Sequence, residues 1–147
     1  MYDRILVPTD GSAGTDRVVG HAADLAAVHG ATLDLLYVIN TASFANLPME
    51  TSWEGVGEML REEGESALEA AERVAGDVAT RRQLLEGNPA HEIVAYADRE
   101  GCDLVCMGTH GRGGINRLLL GSVAERVVRS ADVPVLTVGV GDGDETD

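Results

Sequence analysis

Lysine is missing from this chain altogether. Its 147 residues carry 25 acidic side chains against 11 basic ones, every basic one an arginine, for a formal net charge of −14. So acidic a surface repels polyanions, which excludes nucleic acid and anionic membrane as expected partners. The missing lysine also excludes a P-loop, G-x-x-x-x-G-K-[ST], in which that residue reaches the terminal phosphates. With abundant Asp and Glu it fits a halophilic cytosol, where molar salt shortens the Debye length to roughly 3 Å and screens the self-repulsion. A GC-rich genome is the other source of arginine without lysine. Aromatics are scarce too, at 3%, and Tyr2, Tyr37, Phe44, Trp53 and Tyr96 are too scattered for a base-stacking platform. No apolar run approaches the roughly 18 residues of a membrane span. Met1-Tyr2-Asp3-Arg4 leads into a strand without the basic and apolar regions of a signal peptide, so the expected location is the cytoplasm. Cysteine is limited to Cys102 and Cys106. Their spacing places them on the same strand face by parity, a poor geometry for a disulfide, and no further soft ligands stand nearby. They read as buried free thiols. His21, His29 and His91 likewise stand outside any metal-ligand spacing.

What is present is a globular composition, 44% apolar, at the length of one domain. Apolar strand runs alternate with helical periodicity, the pattern of a parallel α/β sheet covered on both faces. Strands are expected at Arg4 to Thr9, Ala31 to Ile39, Arg81 to Leu85, Asp103 to Met107 and Pro134 to Gly139. Helices are expected from about Ala13 to His29, from Trp53 to about Val78, from the Asn88-Pro89 start to Gly101, and from Ser122 to Arg129. The simplest arrangement is a doubly wound five-stranded parallel sheet in the order 3-2-1-4-5 with helices on both faces. Residues 1–140 form the expected domain, and 141–147 form an acidic tail without apolar residues, expected to be frayed. Residues 40–51 make an irregular stretch long enough to act as a lid or merely to connect two elements.

In this order the connections after the first and fourth strands diverge to opposite faces and leave a crevice where ligands bind. The first of these connections carries Asp10. The second carries Gly108-Thr109-His110-Gly111, nine further residues, and then Gly121-Ser122. Strand, glycine loop and helix start present free backbone N–H groups to an anion, and a bare glycine lets the backbone approach a phosphate. Ser122 and Glu125 have the spacing of a capping box. A phosphorylated small molecule, a nucleotide, is the expected ligand class. Asp10 can accept from ribose hydroxyls or adenine N–H groups, hold a divalent cation, or cap the first helix. Pro8 and Thr9 form the floor. Gly108, Gly111, Gly121 and Ser122 are expected to hold phosphates, with Met107 and Val123 contributing main-chain contacts. His110 either donates to a phosphate or ribose or stands as a solvated turn residue. Arg112 and Arg117 flank the loop, and so few cations leave room for an accompanying Mg²⁺.

The stretches Met107-Gly108-Thr109-His110-Gly111-Arg112-Gly113-Gly114 and Leu119-Leu120-Gly121-Ser122-Val123-Ala124-Glu125-Arg126-Val127 closely resemble the universal stress protein family. Asp132-Val133-Pro134-Val135-Leu136-Thr137-Val138 and the opening Ile5-Leu6-Val7-Pro8-Thr9-Asp10-Gly11-Ser12 are similar to it as well, so the resemblance covers residues 1–139. The spacing G-x2-G-x9-G-[ST] is that of the family's ATP-binding branch. The resemblance implies an ATP-binding regulatory or stress-response protein, with Val38 offering backbone groups to adenine. It also implies a homodimer, here through the last strand, Val133 to Val138, whose apolar edge invites pairing. A slow ATPase or self-phosphorylating enzyme is one alternative. With no lysine at the phosphates and no evident base to orient water, efficient hydrolysis is not expected. A structural dimer module with an empty glycine loop is the other.

Overall fold

The computed structural model describes residues 1–42, 53–110 and 120–140. Five strands, β1 (Arg4–Pro8), β2 (Thr32–Asn40), β3 (Thr80–Gly87), β4 (Leu104–Gly108) and β5 (Val135–Val138), form one parallel sheet in the order β3-β2-β1-β4-β5. The expected topology is the observed one. Four helices connect them among the described residues: α1 (Thr15–His29), α2 (Trp53–Ala75), α3 (Pro89–Glu100) and α4 (Ser122–Ser130). None is long and apolar enough to cross a membrane. The expected lid or connection at 40–51 falls almost wholly outside the described residues, as does the tail at 141–147.

The central strands are mostly apolar because both faces are covered. Ile5 lies opposite Leu33 and Val7 opposite Leu35. These side chains pack with Val19 and Ala22 of α1 and with Leu68 and Ala71 of α2. Leu6, Leu36 and Val105 point to the other face, onto Ile93 of α3 and Val127 of α4. Helix ends follow local chemistry. The Asn88 side chain accepts the His91 amide at 3.0 Å to start α3. Gly76, at φ 69°, lies just beyond α2, which therefore ends before the expected Val78. β3 is longer than expected because its backbone pairs with β2 from Leu33 opposite Thr80 to Asn40 opposite Gly87. Its exposed Arg81-Arg82-Gln83 run and the polar Glu86-Gly87 end leave its full length without an apolar pattern.

The two cysteines correct the parity argument. Both are free and buried, but Cys106 packs on the α1–α2 side of the sheet and Cys102 on the α3–α4 side. Cys102 sits in the turn before β4, outside the strand's alternation. Burial pushes the Cys106 thiol up to about 11. Burial and then the nearby Asp34 carboxylate push Cys102 up to about 12.

Asp34 is wholly buried in β2, near the amino ends of the strands. Arg4 pairs with its carboxylate, and the Tyr96 hydroxyl donates to Oδ2 at 2.8 Å. Arg4 also donates to the Glu100 carbonyl, while the Asp103 carboxylate accepts the Asp3 and Arg4 amides at 2.9 and 3.2 Å. The Arg4 guanidinium is held further up its range by its hydrogen bond to Asp34, against the opposing effect of burial. Burial, reinforced by Asp34, raises the Tyr96 phenol. This end of the sheet is thus closed by a charged knot that ties β1, β2 and α3 together.

Candidate functional site

At the opposite end, β1 runs out into a tight turn. The Thr9 amide donates to the Leu36 carbonyl at 2.8 Å, carrying β1–β2 pairing one step beyond the strand. Thr9 Oγ1 accepts the Gly11 amide at 3.1 Å and lies 3.0 Å from Thr15 Oγ1. Asp10 Oδ1 accepts the Ser12 amide at 2.9 Å, an Asx turn that orients the carboxylate. Gly11 takes φ 77° within it, a conformation open to glycine at little cost. Of the roles open to Asp10, capping α1 is not the one adopted, since the cap position is Gly14 with no side-chain bond.

Across the crevice, β4 ends at Gly108. The Thr109 amide donates to the Val138 carbonyl of β5 at 2.9 Å, and its carbonyl accepts the Gly121 amide at 2.7 Å. These two bonds bring the start of α4 back beside the end of β4. The expected capping box is not formed. Gly121, with extended backbone (φ −66°, ψ 161°), is the N-cap, and Ser122 is the first helical residue. With Gly121 as the cap, Glu125 falls at the fourth helical position, one beyond the box, where its amide donates to the Gly121 carbonyl at 2.9 Å and its side chain pairs with Arg129 at 2.8 Å. The Ser122 hydroxyl and the first-turn amides of α4 therefore stand at the cleft with the positive end of the helix dipole behind them.

The cleft measures about 480 Å³, within the range of small-molecule sites. The loop after β1 brings Pro8, Thr9 and Asp10 to it, and β2 brings Val38. β4 and its turn bring Met107, Gly108 and His110, and the start of α4 brings Gly121, Ser122 and Val123. Segments a hundred residues apart thus converge on one cavity. Of the expected site residues, Gly111 lies outside the described residues, and so do the flanking Arg112 and Arg117. The cleft also takes in residues that the sequence did not single out: Thr109, Val140, Asn40 and Glu63. Thr109 reads as a spacer in the motif, and Val140 lies beyond the last expected strand, so neither carries a local signal. Among the described residues no group of three or more His, Cys, Asp or Glu is placed to hold a metal ion. His110 Nε2 is buried and has no hydrogen-bond partner among the described residues.

Comparison with known proteins decides the lineage of this arrangement. The model of the universal stress protein family matches residues 1–139. The chain belongs to the universal stress protein family. Universal stress protein MJ0531 of Methanocaldococcus jannaschii is 43% identical over 140 residues, covering 94% of this chain and 82% of that one. The solved structure of MJ0577, a universal stress protein of the same organism, superposes with a TM-score of 0.84 at 30% identity, covering 100% of this chain and 99% of that one. A universal stress protein solved in complex with cAMP has a TM-score of 0.70 at 25% identity, covering 95% of this chain and 99% of its own. The five-stranded order is thus that of a universal stress protein fold.

Proposed function

We propose that this universal stress protein binds an adenine nucleotide, ATP, in the cleft and acts as a nucleotide-responsive regulatory protein. The observation that carries the reading is the convergence of the Asp10 turn and the α4 N-terminus on one cavity. The residues fit the ligand. Gly108 and Gly121 keep side chains away from the phosphate path, the α4 amides and Ser122 supply donors, and the buried His110 Nε2 awaits an acceptor. Asp10 would receive ribose or adenine donors, and the Val38 backbone would meet the base above the floor made by Pro8 and Thr9. Met107 and Val123 would add main-chain contacts. Mg²⁺ would arrive with the triphosphate. The binding of cAMP by a related universal stress protein supports the adenine nucleotide class. Among the described residues β5 pairs only with β4 and forms a sheet edge, which supports pairing with a second copy into a homodimer. Light scattering that shows a monomer would end that part of the reading.

Titration calorimetry with ATP–Mg²⁺ tests the site, using the native protein and Gly121→Val. The extended backbone at Gly121 accommodates valine without strain, so the variant should fold. The added side chain should obstruct the phosphates and weaken binding by about a hundredfold, the equivalent of one or two charge-assisted hydrogen bonds. Equal affinity in the two folded proteins would remove the cradle from the argument.

A further inference from the structure

Thr109 bonds to each limb of the cleft's phosphate end. Its amide reaches β5 at Val138, and its carbonyl takes the Gly121 amide. Its hydroxyl lies 3.1 Å from His110 Nδ1 and accepts the Val140 amide at 3.4 Å. Val140 is seated against the bare Gly14 of the first loop, where an added Cβ would stand 2.5 Å from the Val140 Cβ. The exit of β5 and the β4 turn therefore meet at this side chain, and the first loop meets Val140 beside it.

Counting hydrogens assigns the imidazole. The Val140 N–H can only donate, so Thr109 Oγ1 is its acceptor, and the hydroxyl keeps one hydrogen to give. Among the described residues the acceptor within its reach is His110 Nδ1. Were Nδ1 protonated, the hydroxyl would accept twice, as its two lone pairs allow, and its own hydrogen would find no acceptor among the described residues. With Nδ1 accepting, the neutral ring carries its hydrogen on Nε2. That nitrogen is the buried, unpartnered one, on a residue that lines the cleft.

We propose that Thr109 is a positioning residue that holds His110 as an Nε2–H donor for a nucleotide phosphate oxygen. This supplies a neutral donor in a chain with no lysine, and it rests on the nucleotide reading of the cleft. The imidazole nitrogens of ¹⁵N-histidine-labelled, ligand-free protein report the tautomer by NMR at mildly alkaline pH, with His110 identified by its loss in His110→Gln. The expected pattern is protonated Nε2 and bare Nδ1 in the native protein and in Thr109→Ser, and mixed tautomers in Thr109→Val. The Val variant keeps both main-chain bonds of residue 109, so its fold should persist. ATP–Mg²⁺ should bind Thr109→Ser with native affinity and Thr109→Val about two- to threefold more weakly, because apparent affinity falls with the fraction of the ring in the Nε2–H form. Protonated Nδ1 in the native protein, or Ser and Val variants alike in tautomer and affinity, overturns the proposal. The expected tautomers with no ATP binding by any of the proteins would overturn the nucleotide reading and the donor's role, separating that failure from an error about Thr109.

Discussion

The two ends of the sheet handle polar groups in opposite ways. At the amino ends of the strands, Arg4, Asp34 and Tyr96 bond to one another in a closed knot, which leaves Arg4 Nε and Asp34 Oδ1 buried without partners among the described residues. At the carboxyl ends, Asp10, Ser122 and His110 are gathered around a cleft instead of being packed together. Both ends depend on the same parallel strands, but only the carboxyl end has loops that diverge and helix N-termini that face a gap. The contrast teaches that polar residues in this chain divide by position along the strands: near the start they bond to one another, and near the end they line a cleft, where the proposed function gives them a ligand. Substitutions at one end should therefore leave the other end's property unchanged.

The largest effect is expected at the closed end. Asp34→Ala leaves the Arg4 guanidinium and the Tyr96 hydroxyl without their buried acceptor, and removing one partner of such a pair costs about 3 kcal/mol. Urea unfolding should show that loss, while the folded protein still binds ATP with native affinity. A loss below about 1 kcal/mol would mean that the knot relaxes or hydrates freely. Asp10→Ala tests the open end. Nucleotide affinity should fall roughly tenfold, as for one hydrogen bond to a charged group, while stability changes by less than about 1 kcal/mol because only a surface turn is touched. A large stability loss with unchanged affinity would move Asp10 into the structural class.

A third, smaller effect comes from pH. Cys106 and Cys102 titrate near 11 and 12 in the folded chain, against a reference of 9.0. Above pH 9 the unfolded state loses these protons first, so it binds fewer protons than the native state and stability falls as pH rises. The fall continues until the folded thiols themselves ionise. By pH 10 each thiol should account for about 1 kcal/mol. Cys106→Ala should show a shallower decline than the native protein between pH 9 and 10, whatever its stability at neutral pH. Identical slopes would show that Cys106 ionises normally.

Much of this division was legible in advance. The apolar runs gave the strand order, and the glycine spacing with Asp10 located the cleft, because both are local patterns with one dominant cause. Asp34 left no such trace. One acidic residue inside Leu33-Asp34-Leu35-Leu36 becomes intelligible only when Arg4 and Tyr96, far away in sequence, are placed beside it. Strand parity puts Cys102 and Cys106 on one face but does not reach into the turn that holds Cys102, so the two pack on opposite faces. Thr109 and Val140 act through contacts between β4, β5 and the first loop, which no periodicity encodes.

Ser122 and Glu125 show how a correct local pattern can lose to tertiary bonding, and they carry the smallest expected effect. The capping box needs Ser122 at the N-cap, but Gly121, bonded through its amide to Thr109, takes that position and leaves Glu125 one step too far along. Glu125 is left with Arg129, one turn along an exposed face. An exposed pair at this spacing is worth about 0.4 kcal/mol and weakens with salt. A double-mutant cycle with Glu125→Ala and Arg129→Ala should return a coupling of that size at low ionic strength and close to zero in molar salt. A capping box predicts something different, because its bond does not involve Arg129. Glu125→Ala would then cost about 1 kcal/mol with or without the arginine, and the coupling would vanish at every salt concentration.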